Sequence, residues 1–148
     1  MAIVRNMTLA DLEAVYDLEC RSFSMPWSLD SLKKEIENQL AYYVVVEAGG
    51  NIVGYGGLWG ILGEGEVTNI AVDSTYRGQG YGQLIMESLL AYSLKQGFER
   101  ITLEVRASNE VAKKLYLKNG FEQIAVRKNY YQKPTEDAVI MAYEVRAN

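Results

Sequence analysis

The sequence predicts an α/β fold in which one mixed sheet carries helices on both faces. Three observations lead there. The element order along the chain reads strand, two helices, three strands, helix, strand, helix, two strands. Hydrophobic residues fill 49% of 148 positions, an ordinary globular composition that suffices for a core without disulfide staples. Pro26 and Pro134 are the only prolines, and no linker, repeat or low-complexity stretch divides the chain, so residues 1–148 are expected to form a single domain.

Ile3–Arg5 is a short strand candidate. Thr8 followed by Asp11 has the form of a capping box and opens a helix whose apolar face reads Leu9, Leu12, Tyr16 and Phe23. Cys20 falls on the side of Tyr16 and reads as a small buried hydrophobe rather than a reactive thiol. Met25-Pro26-Trp27 breaks the helix, and Ser28 can cap a second one carrying Leu29, Leu32, Ile36 and Leu40. Tyr42–Glu47 and Ile52–Trp59 read as strands joined by a Gly49-Gly50-Asn51 turn, although Gly54, Gly56 and Gly57 weaken the second. Glu66–Val72 is a third strand. Gly80–Gln96 has helical periodicity, with Ile85, Met86, Leu89 and Leu90 on one face and Gly97 as its stop. Arg100–Val105 alternates strictly as a strand does. Asn109–Asn119 is a helix ended by Gly120, and Phe121–Lys128 and Ala138–Val145 are the last strands. The stretch from Glu66 to Val105 should be a right-handed parallel crossover.

Absent residues narrow the chemistry. There is no histidine, which removes Ser-His-Asp and Cys-His nucleophilic catalysis and nearly every zinc site. With Cys20 as the sole cysteine, no internal disulfide can form and no thiolate metal cluster can be built, so no metal is expected and a reduced, cytoplasmic setting fits best. Arg5, Asp11 and Glu13 near the start do not read as a secretory signal, and the longest apolar run, Leu40–Val46, is too short to span a bilayer. The net charge of −4 argues against nucleic acid as the main partner and suits a cationic substrate.

Arg77-Gly78-Gln79-Gly80-Tyr81-Gly82 lies between a strand and a helix. Its glycines permit positive φ and close backbone approach, and converging N–H groups at a helix start make an anion site suited to phosphate. No Gly-Lys-Ser/Thr follows, so it is not a P-loop; the third glycine is misplaced for a dinucleotide fingerprint. A glycine turn at a helix start can also be purely structural.

Its surroundings decide between these readings. Asn69-Ile70-Ala71-Val72, then Arg77-x-x-Gly80-x-Gly82 and a long helix, resemble the coenzyme-A-binding motif of the GNAT family of N-acetyltransferases, and the element order matches over essentially the whole chain. The resemblance implies the acyl-coenzyme A N-acyltransferase fold, a twisted, mostly antiparallel sheet of about seven strands with four helices. It assigns Ile70, Ala71 and Val72 to the acetyl and pantetheine groups, and Arg77, Gly78, Gln79, Gly80, Tyr81, Gly82 and Gln83 to the pyrophosphate. The pantetheine arm would add to the sheet as a strand does. The segments LEVRASN, LYLKNGF, RKNYY and EDAVIMAYEV further resemble the bacterial ribosomal-protein-alanine N-acetyltransferases. By that resemblance Glu104 is the general base, Tyr116 the general acid, and Asn109 a coenzyme-A contact. From pattern alone, Glu104 beside Arg106 reads as a solvated strand face and Tyr116 as a core aromatic.

The implied chemistry is direct attack of a neutral amine on the acetyl thioester, with acetyl-coenzyme A as co-substrate. An α-amine near pKa 8 is roughly one-tenth neutral at pH 7, whereas lysine is neutral in well under a thousandth, a gap of about 3 kcal/mol that favours an N-terminus. Phe23, Met25, Pro26 and Trp27 form one apolar loop; Tyr130 and Tyr131 are expected between the last two strands, near Glu136 and Asp137. Either these simply anchor loops, or, as the resemblance implies, they flank a groove for an extended peptide whose positive charge the acidic rim attracts. The acceptor would then be a protein N-terminus, that of the eighteenth small-subunit ribosomal protein, and the enzyme a monomer or weak dimer. A small amine or a lysine side chain as acceptor, or a non-catalytic acyl-coenzyme-A-binding subunit, are the alternatives.

Overall fold

The structure is a computed structural model and describes residues 2–145; Met1 and residues 146–148 of the expected domain lie outside the described residues. The strands are β1 (Ala2–Asn6), β2 (Ala41–Ala48), β3 (Asn51–Ile61), β4 (Glu64–Val72), β5 (Arg100–Arg106), β6 (Glu122–Tyr131) and β7 (Glu136–Glu144). The helices are α1 (Leu12–Ser22), α2 (Leu29–Glu37), α3 (Tyr81–Gln96) and α4 (Glu110–Lys118). The strands form one sheet in the order β1-β2-β3-β4-β5-β7-β6, antiparallel except for the β4–β5 pair. The expected mixed, mostly antiparallel seven-stranded sheet with four helices is thus present. No helix among the described residues is long and apolar enough to cross a membrane.

Local chemistry sets the boundaries. Gly49 and Gly50 both take positive φ, 59° and 82°, which two-residue hairpin turns require, and they join β2 to β3. Ser28 Oγ accepts the Ser31 N–H at 3.1 Å and caps α2; Gly97, at φ 76°, closes α3. Both faces of the sheet are covered. Val44, Val46, Ile101, Leu103 and Val105 pack with Ile85, Met86 and Leu89 of α3 and with Tyr116 and Phe121. Tyr43, Val45, Tyr55 and Ala71 pack with Val15 and Leu18 of α1 and Leu32 of α2. Burying one such aliphatic side chain contributes about 1.5–3 kcal/mol. Two of the glycines that seemed to weaken β3 receive side chains instead: a Cβ at Gly57 would overlap the Tyr43 ring, and one at Gly56 would overlap the Ile85 side chain.

Three expectations need correction. The buried face of α1 is Val15, Leu18 and Glu19, while Leu9 and Cys20 are exposed. Leu12 and Tyr16 of the predicted Leu9–Leu12–Tyr16–Phe23 stripe are half-buried and pack on the same core, so the helix is rotated only part of the way from that stripe, and a charged residue shares its inner face. Leu40 lies beyond the end of α2 and is exposed, as is Leu29. Tyr130 and Tyr131 belong to β6, which runs past the predicted Lys128 and pairs Tyr131 with Glu136.

One irregularity positions the site. The β4–β5 pairing covers only Glu64–Glu66 against Arg100–Thr102. In β4 the register against β3 slips by one residue, Gly57 facing Asn69 and Leu58 facing Val67, which leaves Thr68 as the extra residue of a bulge. Thr68 Oγ1 donates to the Gly57 carbonyl at 3.2 Å across this bulge. A bulge bends its strand. From that point β4 and β5 part, and the edge of each that faces the other has no strand against it.

Candidate active site

Two cavities open where β4 and β5 diverge. One, of about 330 Å³, lies on the α1 and α2 side; its wall includes Glu19, Trp27, Asn69, Glu104, Arg106 and Tyr131. The other, of about 400 Å³, runs along β4 to the start of α3. They share Ser22, Phe23, Ile70, Asn109, Ala112 and Tyr116, so the two spaces adjoin at the split in the sheet.

The second cavity gathers nearly all the predicted coenzyme-A residues. Ile70, Ala71 and Val72 supply the strand wall; Arg77, Gly78, Gly80, Tyr81, Gly82, Gln83 and Asn109 supply the rest. Gln79 does not line it, and its Oε1 accepts from the Tyr81 hydroxyl at 3.3 Å instead. Gly78 and Gly80 hold φ of 80° and 84°, and a Cβ at either would meet only open space. The first N–H groups of α3 have no partner within the helix, so they face this space with the positive end of the helix dipole. The Gln83 side-chain amide exchanges two 2.9 Å hydrogen bonds with Asn119 and so ties α3 to the end of α4. Lys118 adds a cation to the wall. A donor-rich, cationic loop beside an unpaired strand edge fits a ligand that carries phosphates at one end and an amide-bearing arm at the other.

The first cavity holds the charged residues. Glu104 on β5 accepts from Arg127 Nη1 at 3.3 Å and from the Tyr130 hydroxyl at 3.3 Å. Tyr130 does not line the cavity; it packs edge-on against Tyr131, which does, with ring centroids 5.2 Å apart. Phe23 and Trp27 line it as expected. Burial, and then the neighbouring Glu104 charge, push the Tyr131 phenol up to about 12. Tyr116 is buried at the junction, its ring packed near Phe121, and burial drives its phenol above the ordinary tyrosine value. Both phenols keep their protons at neutral pH. Glu136 and Asp137 are not a free acidic rim: Glu136 pairs with Arg106 and accepts the Ser108 N–H, and Asp137 accepts the Asn129 N–H.

Sequence reasoning missed Glu19, Arg106 and Arg127. Glu19 is 1% exposed and accepts from the Trp27 N–H, Asn69 Nδ2 and the Tyr55 hydroxyl. Burial raises its carboxyl above the usual carboxylate range, while the Trp27 and Asn69 hydrogen bonds pull the other way. Its one sequence signal was its place one residue after Leu18, on the inner face that Val15 begins.

Residues 12–121 match the sequence model of the acetyltransferase (GNAT) family. The chain belongs to that family. It is 43% identical over 141 residues, 95% of this chain and 93% of the other, to a Bacillus subtilis protein whose name carries the words ribosomal protein bS18-alanine N-acetyltransferase. It is 35% identical over 145 residues, 96% of this chain and 98% of the other, to the ribosomal protein bS18-alanine N-acetyltransferase of Haemophilus influenzae. The crystal structure of the ribosomal-protein-S18-alanine N-acetyltransferase from Escherichia coli superposes with a TM-score of 0.92 at 32% identity, covering 100% of this chain and 96% of that one.

Proposed function

We propose that the protein transfers an acetyl group from acetyl-coenzyme A to the N-terminal α-amine of a protein, the acceptor being the N-terminal alanine of ribosomal protein bS18. The relatives with that activity in their names support the acceptor. The observation that carries the chemistry is the junction: Tyr116 and Asn109 stand where the two cavities meet, and Glu104 stands in the wall of only one. A ribosomal acceptor places the reaction in the cytoplasm.

Coenzyme A brings an activated thioester. The strand edge of β4 and the Gly78–Gln83 loop orient it, with backbone N–H near Val72 available to its carbonyl oxygen. The acceptor arrives as an α-ammonium, and Glu104 takes a proton from it, directly or through water. The neutral nitrogen then forms the new C–N bond as the C–S bond breaks. Tyr116 gives its proton to the leaving sulfur, whose negative charge the same buried setting disfavours. The nitrogen sheds its remaining extra proton to solvent, Glu104 releases its own there, and the phenol is restored from the same source. Cys20, exposed on α1, lines neither cavity, which supports direct transfer without an acyl-cysteine. Mass spectrometry of an Ala-Arg-initiated peptide incubated with acetyl-coenzyme A tests the reading: acetylation at the α-amine is expected, and modification confined to lysines or small amines overturns it.

A further inference from the structure

The described residues include two buried carboxylates, and the fold treats them differently. Asp11 receives both Nη atoms of Arg5 at 2.8 Å. Glu19, in the wall of the acceptor cavity, has only neutral donors: the Trp27 N–H and Asn69 Nδ2, each at 2.9 Å, and the Tyr55 hydroxyl. Among the described residues no lysine or arginine pairs with it. A carboxylate withdrawn from water without a cation is costly, and neutral donors offset only part of that cost. Glu104, in the same cavity, is more exposed and has Arg127 beside it. The acidic group of this cavity with no cation beside it is therefore Glu19, and its charge when ionised is uncompensated. In a space walled by protein, such a charge acts more strongly on an occupant than it would in water.

We propose that the missing cation is the acceptor's own α-ammonium, so that Glu19 is a specificity-determining residue that selects a positively charged chain terminus. The proposal rests on the peptide-acceptor reading above. It divides the work of two carboxylates: Glu19 favours the charged terminus on arrival, and Glu104 removes the proton. Glu19 also holds the Trp27 loop, so a purely structural role must be separated from a charge role.

The test measures binding by calorimetry, with coenzyme A present, of an Ala-Arg-initiated peptide and of its des-amino analogue, in which a propionyl group replaces the alanyl residue. The intact protein should bind the amino peptide about tenfold more tightly. In Glu19→Gln that preference should shrink to about twofold or less, with acetyl-coenzyme A affinity unchanged as the check on folding. Tyr55→Phe removes a neutral donor and leaves the charge, so it should keep the preference. Equal binding of the two peptides by the intact protein overturns the proposal whatever the fold of any variant. So does full preference in Glu19→Gln, or a loss in Tyr55→Phe equal to that in Glu19→Gln. If the amino peptide is neither bound nor acetylated, the acceptor reading itself falls; if it is acetylated and Glu19→Gln keeps its preference, only the present inference does.

Discussion

Arg106 Nη2 donates to Ser24 Oγ at 3.3 Å, joining residues 82 positions apart in the wall of the cavity that holds Glu104. The same guanidinium donates to the carbonyls of Gln132 and Pro134 at 2.7 and 2.9 Å and pairs with Glu136 at 3.2 Å. It also lies 4.5 Å from the centre of the Tyr131 ring. One planar fork thus fixes the loop after α1 and the turn between β6 and β7, which stand on either side of the groove.

Replacing that fork should loosen the groove without touching the coenzyme-A side. Arg106→Lys keeps a charge but cannot reach both loops at once. Peptide KM should rise about tenfold, while acetyl-coenzyme A affinity stays within about twofold of the parent. Steady-state kinetics at saturating acetyl-coenzyme A, with calorimetric binding of acetyl-coenzyme A alongside, would show it. A kcat loss with unchanged KM would mean that Arg106 acts on the chemistry instead.

Glu104→Gln keeps the size of the side chain and its place beside Arg127 and Tyr130. Loss of a general base costs 10²–10⁴-fold, so kcat should fall by about that much with little change in acetyl-coenzyme A binding. Parent-like turnover at neutral pH would show that the proton leaves by another route.

Tyr116→Phe should lower kcat by about 10²-fold and leave the fold intact, since the ring and its packing on Phe121 remain. The buried phenols also set the alkaline limit. Burial raises Tyr43 and Tyr116 above the ordinary 10.0, so the folded chain keeps protons that the unfolded chain loses. Their contribution to stability is full below pH 10 and declines as pH rises past it. Phenolate absorbance from these two residues should therefore appear together with loss of the circular dichroism signal. Titration of all eleven tyrosines before any unfolding would contradict this.

Gly80→Val places a β-branched residue at φ 84°, a strain of about 1–3 kcal/mol, and sets a side chain over the anion site. Coenzyme A affinity should drop at least about tenfold in a protein that still unfolds cooperatively. Calorimetry alongside thermal unfolding separates the two effects, and an unchanged affinity in a folded variant would remove the glycine loop from the binding site.

Local signals carried most of the fold. Gly49-Gly50, Ser28 and Gly97 marked a turn, a cap and a stop, and each acts through its own backbone or a near neighbour. Strict alternation in Arg100–Val105 placed Glu104 on the open face of β5. Long-range contacts were what the sequence hid. Glu19 is buried only because Tyr55 and Asn69, 36 and 50 positions away, reach its carboxylate; without them, Tyr16 and Cys20 look like the better inner face. Arg106 and Glu136 likewise read as solvated charges until the strands bring them together over 30 positions. In β6, Glu122–Tyr130 are all exposed, so no alternation announced how far the edge strand runs.

The bulge at Thr68 divides the sheet into a four-stranded plate and a three-stranded plate hinged at three residue pairs. A strand-like occupant of the gap supplies a rung that neither plate can supply to the other. Binding would then stiffen the hinge as well as position the thioester, and the molecule would gain rigidity in proportion to how full the gap is. Because backbone geometry makes the gap, side chains around it can change their chemistry without closing it.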